Sequence, residues 1–168
     1  MPAVNNAFYD DLGARWFEGD DHAIALLDHG EAVVPDTLDE MTWRPADGGF
    51  RMTLSRAVPD RIRENVAAVV ERFLGASGLA VGDVDLFAVH PGGPRVIEST
   101  AEALGVEDDR TRHSHAVLRE RGNMSSTTLP HIWDRIARDA DVPAGSTVCS
   151  VAFGPGLTVA VNILRKEA

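Results

Sequence analysis

The spacing of apolar residues changes several times along this chain, and each change predicts an element. HAIALLD (22–28) and EAVVP (31–35) are apolar runs separated by His29 and Gly30, the pattern of two short strands and a tight turn. TLDEMTWRPADGG (37–49) is rich in turn residues and predicts a surface excursion. FRMTLSR (50–56) alternates as a strand does. From Pro59 the period becomes helical. Ile62, Val66, Val69, Val70, Phe73 and Leu74 fall on one face, and Arg61, Arg63, Glu64, Glu71 and Arg72 fill the other. Proline suits a first turn, where its missing N–H has no helical partner, and Gly75 or Gly78 supplies the stop.

VDLFAVH (84–90) is almost continuously apolar, as a strand covered on both faces must be. A second helix is predicted from Pro94 through Leu104, with Gly105 ending it, and a short third one over roughly 114–121, ending at Gly122. A further helix runs from Met124 to Ala140. Its start, MSSTTLP, is small and polar, and Pro130 predicts a kink. STVCSVAFG (146–154) and LTVAVNILR (157–165) read as two apolar strands joined by a Gly154-Pro155-Gly156 corner. The predicted order is β-β-β-α-β-α-α-α-β-β, an α/β domain whose mixed sheet is covered by helices.

Composition narrows the function classes. A chain of 168 residues, 44% hydrophobic, is one domain with a sizeable core, spanning 1–168. A formal charge of −10 argues against a general nucleic-acid or anionic-membrane binder and leaves an anionic small ligand open. Arg110, Arg112, Arg119 and Arg121, interleaved with Asp108, Asp109 and Glu120, read as a solvated mixed-charge surface. Cys149 is the one cysteine, so no disulfide forms within the chain, and a reducing cytoplasmic setting is expected. No apolar run approaches the roughly 18–20 residues of a membrane helix, and MPAVNNAFYDD has no signal-peptide character.

Three motifs carry the candidate chemistry. His90-Pro91-Gly92-Gly93-Pro94 follows the buried strand, and the end of a parallel strand is where α/β proteins place ligands. Gly122-Asn123-Met124-Ser125-Ser126 puts an asparagine at a helix start. Phe153-Gly154-Pro155-Gly156-Leu157-Thr158 closes the series. Taken in this order, HPGGP, GNMSS and FGPGLT resemble the C-terminal half of the chalcone and stilbene synthases, the type III polyketide synthases. LGARWFEGDDHAIAL, VVPDTLDE and GGFRMTLSRAVPDRI extend the resemblance over nearly the whole chain.

The resemblance implies a thiolase-like half, expected to pack against a second half, and a Cys-His-Asn triad. By motif, His90 would be the catalytic histidine and Asn123 the catalytic asparagine, two donors for the enolate formed when a malonyl thioester loses carbon dioxide. Gly92 and Gly93 would lie against the coenzyme A arm. Met52, Ser125, Phe153, Gly154 and Pro155 would shape the substrate pocket, with Met52 where plant members commonly carry phenylalanine. No cofactor or metal is implied beyond the coenzyme A thioesters that serve as substrates. Asp20, Asp21, His22, His113 and His115 read as ordinary surface or structural residues rather than metal ligands.

Two departures bear on function. The family's nucleophilic cysteine lies upstream of all these motifs, and Cys149, in mid-strand, reads as a small core residue. FEGDD (17–21) stands where the family has Phe-Gly-Asp-Gly. The expectation is an acyltransferase subunit that joins an acyl-CoA starter to malonyl-CoA once a partner chain supplies the Cys-bearing N-terminal half. Self-association, a non-catalytic thiolase-fold scaffold, and a fragment of a longer enzyme stand as alternatives. Alone, such a half would expose an apolar face, and the small-residue segment after Met124 suits a contact between halves.

Overall fold

The computed structural model describes residues 24–167. The FEGDD departure and Asp20, Asp21 and His22 lie outside the described residues. Strand β1 (Ile24–Val33) is followed by a hairpin of β2 (Met41–Ala46) and β3 (Gly49–Leu54). Then come α1 (Val58–Ala76), β4 (Leu86–Val89), α2 (Pro94–Leu104), α3 (Arg112–Arg121), α4 (Thr128–Arg138), β5 (Thr147–Gly154) and β6 (Thr158–Lys166). The main sheet has the order β1-β6-β5-β4. β4 pairs parallel to β5, and the β5–β6 and β6–β1 pairs are antiparallel.

The sheet is the middle of three layers. Phe87, Val89, Cys149, Val151, Val159, Val161 and Ile163 face α1 and α2. Leu86, Ala88, Val148 and Leu164 face the opposite way, onto Val117, Leu129, Ile132, Trp133 and Ile136 of α3 and α4. The alternation along β4 explains its unbroken apolar run: each neighbouring residue enters a different core. On α1 the fully covered positions are Val58, Ile62, Val66, Val70 and Leu74, one every four residues. Each contributes about 1.5–3 kcal/mol of burial. Gly78, at φ +73, turns the chain out of this helix in the left-handed conformation that glycine tolerates.

Three expectations need correction. The segments 22–28 and 31–35 are not two strands with a turn, because β1 runs unbroken through His29 and Gly30 to Val33, with a register slip between Leu26 and Asp28. Gly30 serves packing: a Cβ placed there would lie 2.0 Å from the Phe73 ring. The excursion at 37–49 holds β2. It pairs with β3 from Met41↔Leu54 to Ala46↔Gly49, and the turn is made at Asp47 and Gly48. Pro130 does not kink a long helix. The chain forms a short 3₁₀ turn at Ser125–Thr127, and α4 starts at Thr128, so Pro130 sits in the first turn, where no intrahelical N–H bond is lost.

Gly30→Ala is expected to lower stability by about 1–3 kcal/mol through this clash. The cost is expected to shrink in a Phe73→Leu background. Denaturant unfolding of the four proteins of that cycle checks it, and an unchanged cost in both backgrounds would refute the packing role.

Candidate active site

The parallel pairing of β4 and β5 brings the first two loops of the site together. Parallel strands end on the same edge of a sheet, so the segment after β4 emerges beside the segment at the end of β5. The ladder continues one step beyond β4, where the His90 N–H donates to the Val151 carbonyl at 2.8 Å. His90 therefore stands next to Ala152, Phe153, Gly154 and Pro155. Past it, the Gly92 N–H donates to the His90 carbonyl at 3.0 Å, and Pro94 opens α2.

The third loop is fixed by α3. Among the described residues β4 is the outer strand, and the buried Ser114 hydroxyl accepts the Val89 N–H at 2.9 Å, satisfying a donor the sheet leaves over. α3 then runs to Gly122 (φ +72), which turns the chain into Asn123. The opposite helix is pinned where the Trp133 indole N–H donates to the buried Ser150 hydroxyl at 3.0 Å.

These loops line one open cleft of about 1290 Å³. His90, Gly92, Gly93, Asn123, Met52, Ser125, Phe153, Gly154 and Pro155 all border it, so the structure brings together every candidate singled out by motif. His90 is half-buried. Burial holds its imidazole below the ordinary value of 6.5, which favours the neutral ring, with one N–H to donate. Asn123 is exposed on the cleft, and its Oδ1 accepts the Ser125 N–H at 2.8 Å. That bond fixes which end of the amide is which and leaves Nδ2 as the free donor. Ser125 itself has φ +60, an uncommon conformation for a residue with a side chain. Gly93 is extended, and a Cβ there would meet no atom within 4 Å, so this position faces open space on the cleft.

Sequence reasoning missed part of the cleft wall. Met41, Trp43 and Leu54 also border it. In the hairpin register Met41 faces Leu54, Trp43 faces Met52 and Pro45 faces Phe50, so one side of the ribbon is wholly apolar. The Gly156 N–H donates to the Met41 carbonyl at 3.1 Å, joining the hairpin to the β5–β6 corner. The alternation of residues 41–46 was the available signal; the turn residues around it obscured it. Cys149 lies in the core between the cleft and the far end of β5, wholly buried, and burial pushes its thiol up to about 12.

Comparison with known proteins gives a consistent picture. Residues 26–167 match the family described as chalcone and stilbene synthases, C-terminal domain. The chain is 35% identical over 142 residues to the alpha-pyrone synthesis polyketide synthase-like Pks18 of Mycobacterium tuberculosis, covering 79% of this chain and 36% of that protein. It is 32% identical over 166 residues to 1,3,6,8-tetrahydroxynaphthalene synthase of Streptomyces griseus, covering 97% of this chain and 44% of the relative. The chain thus spans less than half the length of these relatives. Among solved structures it resembles 1,3,6,8-tetrahydroxynaphthalene synthase of Streptomyces coelicolor A3(2), with a TM-score of 0.80, 26% identity, and coverage of 88% of this chain and 42% of that one. It also resembles PKS-I of the brown alga Ectocarpus siliculosus, with a TM-score of 0.74, 31% identity, and coverage of 86% and 40%. The fold is that of one thiolase-like half.

The His90 ring resonance is expected to titrate with a midpoint below 6.5 in a proton NMR series, and a midpoint at or above that value would contradict its desolvation. Cys149 is expected to resist iodoacetamide at pH 8 in the native protein and to react on denaturation. Rapid native alkylation, followed by mass spectrometry, would show the thiol to be accessible.

Proposed function

We propose that this chain, which belongs to the chalcone and stilbene synthases through their C-terminal domain, supplies the enolate-stabilising half of a type III polyketide synthase-like acyltransferase. The observation that carries the reading is that His90 and Asn123, 33 positions apart in sequence, border one cleft with a free donor each. In this reading a malonyl thioester enters past Gly92 and Gly93. The bond from its α-carbon to the carboxylate breaks, carbon dioxide leaves, and the electron pair moves to the thioester oxygen. A ring N–H of His90 and the Nδ2–H of Asn123 donate to that oxyanion, and preorganised donors favour it over the ground-state carbonyl. The enolate carbon then attacks an acyl group held as a cysteine thioester, and the thiolate leaves.

The cysteine must come from outside these residues, since Cys149 is sealed in the core and its thiol is held protonated. We assign it to an N-terminal-half polypeptide. The apolar surface supports such a partner: Leu38, Trp43, Phe50, Met52 and Leu54 are all more than half exposed, clustered in the hairpin region at the cleft rim. Ser125 and Ser126 are exposed on the cleft and Thr127 is exposed next to them, a small-residue segment suited to a contact between halves. A non-catalytic scaffold shares the fold and the apolar rim but has no use for the two unspent donors.

Mixing the full chain with a Cys-bearing N-terminal half and malonyl-CoA is expected to release carbon dioxide. His90→Gln or Asn123→Ala is expected to slow release about 100-fold or more, the usual loss for one oxyanion donor. Release that is equal in wild type and both variants would leave only the scaffold reading.

A further inference from the structure

A second recess, of about 630 Å³, lies between α3 and α4 and takes no part in the reaction described above. Arg112, Arg119 and Arg121 of α3 and Arg135 and Arg138 of α4 line it, with Glu120, Asp134 and Asp139 as the acidic lining residues. Positive charge therefore predominates locally on a chain of net charge −10. Three of the arginines are engaged: Arg135 with Glu120 at 2.7 Å, Arg138 with Asp134 at 2.7 Å, and Arg112 with Asp109 at 3.2 Å and Asp139 at 3.7 Å. Arg119 and Arg121 are exposed and have no ion pair among the described residues.

A buried polar atom lies beneath the same recess. His113 is only 5% exposed, and its Nε2 makes no hydrogen bond, although Asp139 Oδ2 lies 3.2 Å away, off the line of one. A buried polar nitrogen without a well-aligned partner costs free energy. Desolvation, with the Arg112 charge second, pushes His113 down to about 4, so at neutral pH this nitrogen is uncharged. Helix dipoles favour basic residues in the last turns of α3 and α4. They do not account for Arg112 at the start of α3.

We propose that the α3–α4 recess binds a phosphate-bearing small molecule. Guanidinium forks match phosphate oxygens in bidentate geometry, and the recess is within the size range of small-molecule sites. Arg119 and Arg121 are free to close on the anion, and Arg135 can exchange Glu120 for it, above the buried His113. This site is independent of the polyketide reading.

Calorimetric titration of the full chain with inorganic pyrophosphate is expected to give saturable binding that shifts the His113 ring resonances. Arg119→Ala and Arg135→Ala are each expected to weaken it about tenfold or more. Arg51→Ala, the same charge change on the distant hairpin, is expected to leave it unchanged. Absence of saturable binding up to about 10 mM, silent His113 resonances, or equal weakening by Arg51→Ala would overturn the proposal. Tighter binding of an acidic peptide than of pyrophosphate at the same residues would also overturn the small-phosphate assignment. Circular dichroism of each variant separates lost binding from lost fold.

Discussion

The candidate site depends on the parallel pairing of β4 with β5. Four ladder positions, from Leu86↔Val148 to Val89↔Val151, hold two strands that are distant in sequence, and the His90 N–H extends the ladder by one more bond. Every other feature of the cleft refers to that edge. The HPGGP turn leaves one strand there, and the FGPG corner begins at the end of the other. A parallel pair cannot be closed by a tight turn, so the intervening chain must cross over as helices. Here the crossover is α2, α3 and α4, and its α3–α4 junction delivers Asn123 to the same place.

That crossover is held by a small number of buried polar bonds. Ser114 satisfies the spare Val89 N–H, Trp133 bonds Ser150, and Arg110 donates to the Val81 and Val84 carbonyls while its guanidinium stacks over Phe87 at 5.0 Å. Buried polar groups are costly when unpaired, so such bonds specify position more than they add stability. They set where α3 lies on β4, and therefore where Asn123 lies relative to His90. The cleft itself contrasts with this satisfied interior. His90 and Asn123 present donors that the described residues do not use, and the hairpin presents apolar side chains that the described residues do not cover. Both kinds of unmet demand lie on the one cleft, in a chain that spans less than half the length of its relatives.

The element order expected from the apolar pattern matches the observed order, but partly by compensation. The two expected strands at 22–28 and 31–35 are a single one, and the hairpin strand at 41–46 went unpredicted, so the strand count survived two opposite errors. Both errors have the same cause. Glycine was read as punctuation at Gly30, where it makes room for the Phe73 ring, and turn residues around 41–46 outweighed a short alternation. Helices fared better. The four-residue spacing on α1 and the glycines after α1, α2 and α3 are strong local signals, while α4 is shorter at both ends than the expected Met124–Ala140 helix and lacks the expected kink at Pro130.

What the sequence determined by itself is the local chemistry: which stretches bury a face, where helices stop, and which motifs carry an imidazole, an amide and a glycine-cleared turn. These are properties of neighbours in the chain, set by side-chain period and backbone freedom. Convergence was a matter for the tertiary structure. That three distant loops border one cleft, that Trp43 and Leu54 join its wall, and that five arginines and a buried histidine meet at a second recess follow from strand pairing and helix packing. Those contacts join residues far apart in sequence, and no local spacing rule encodes the distances between them.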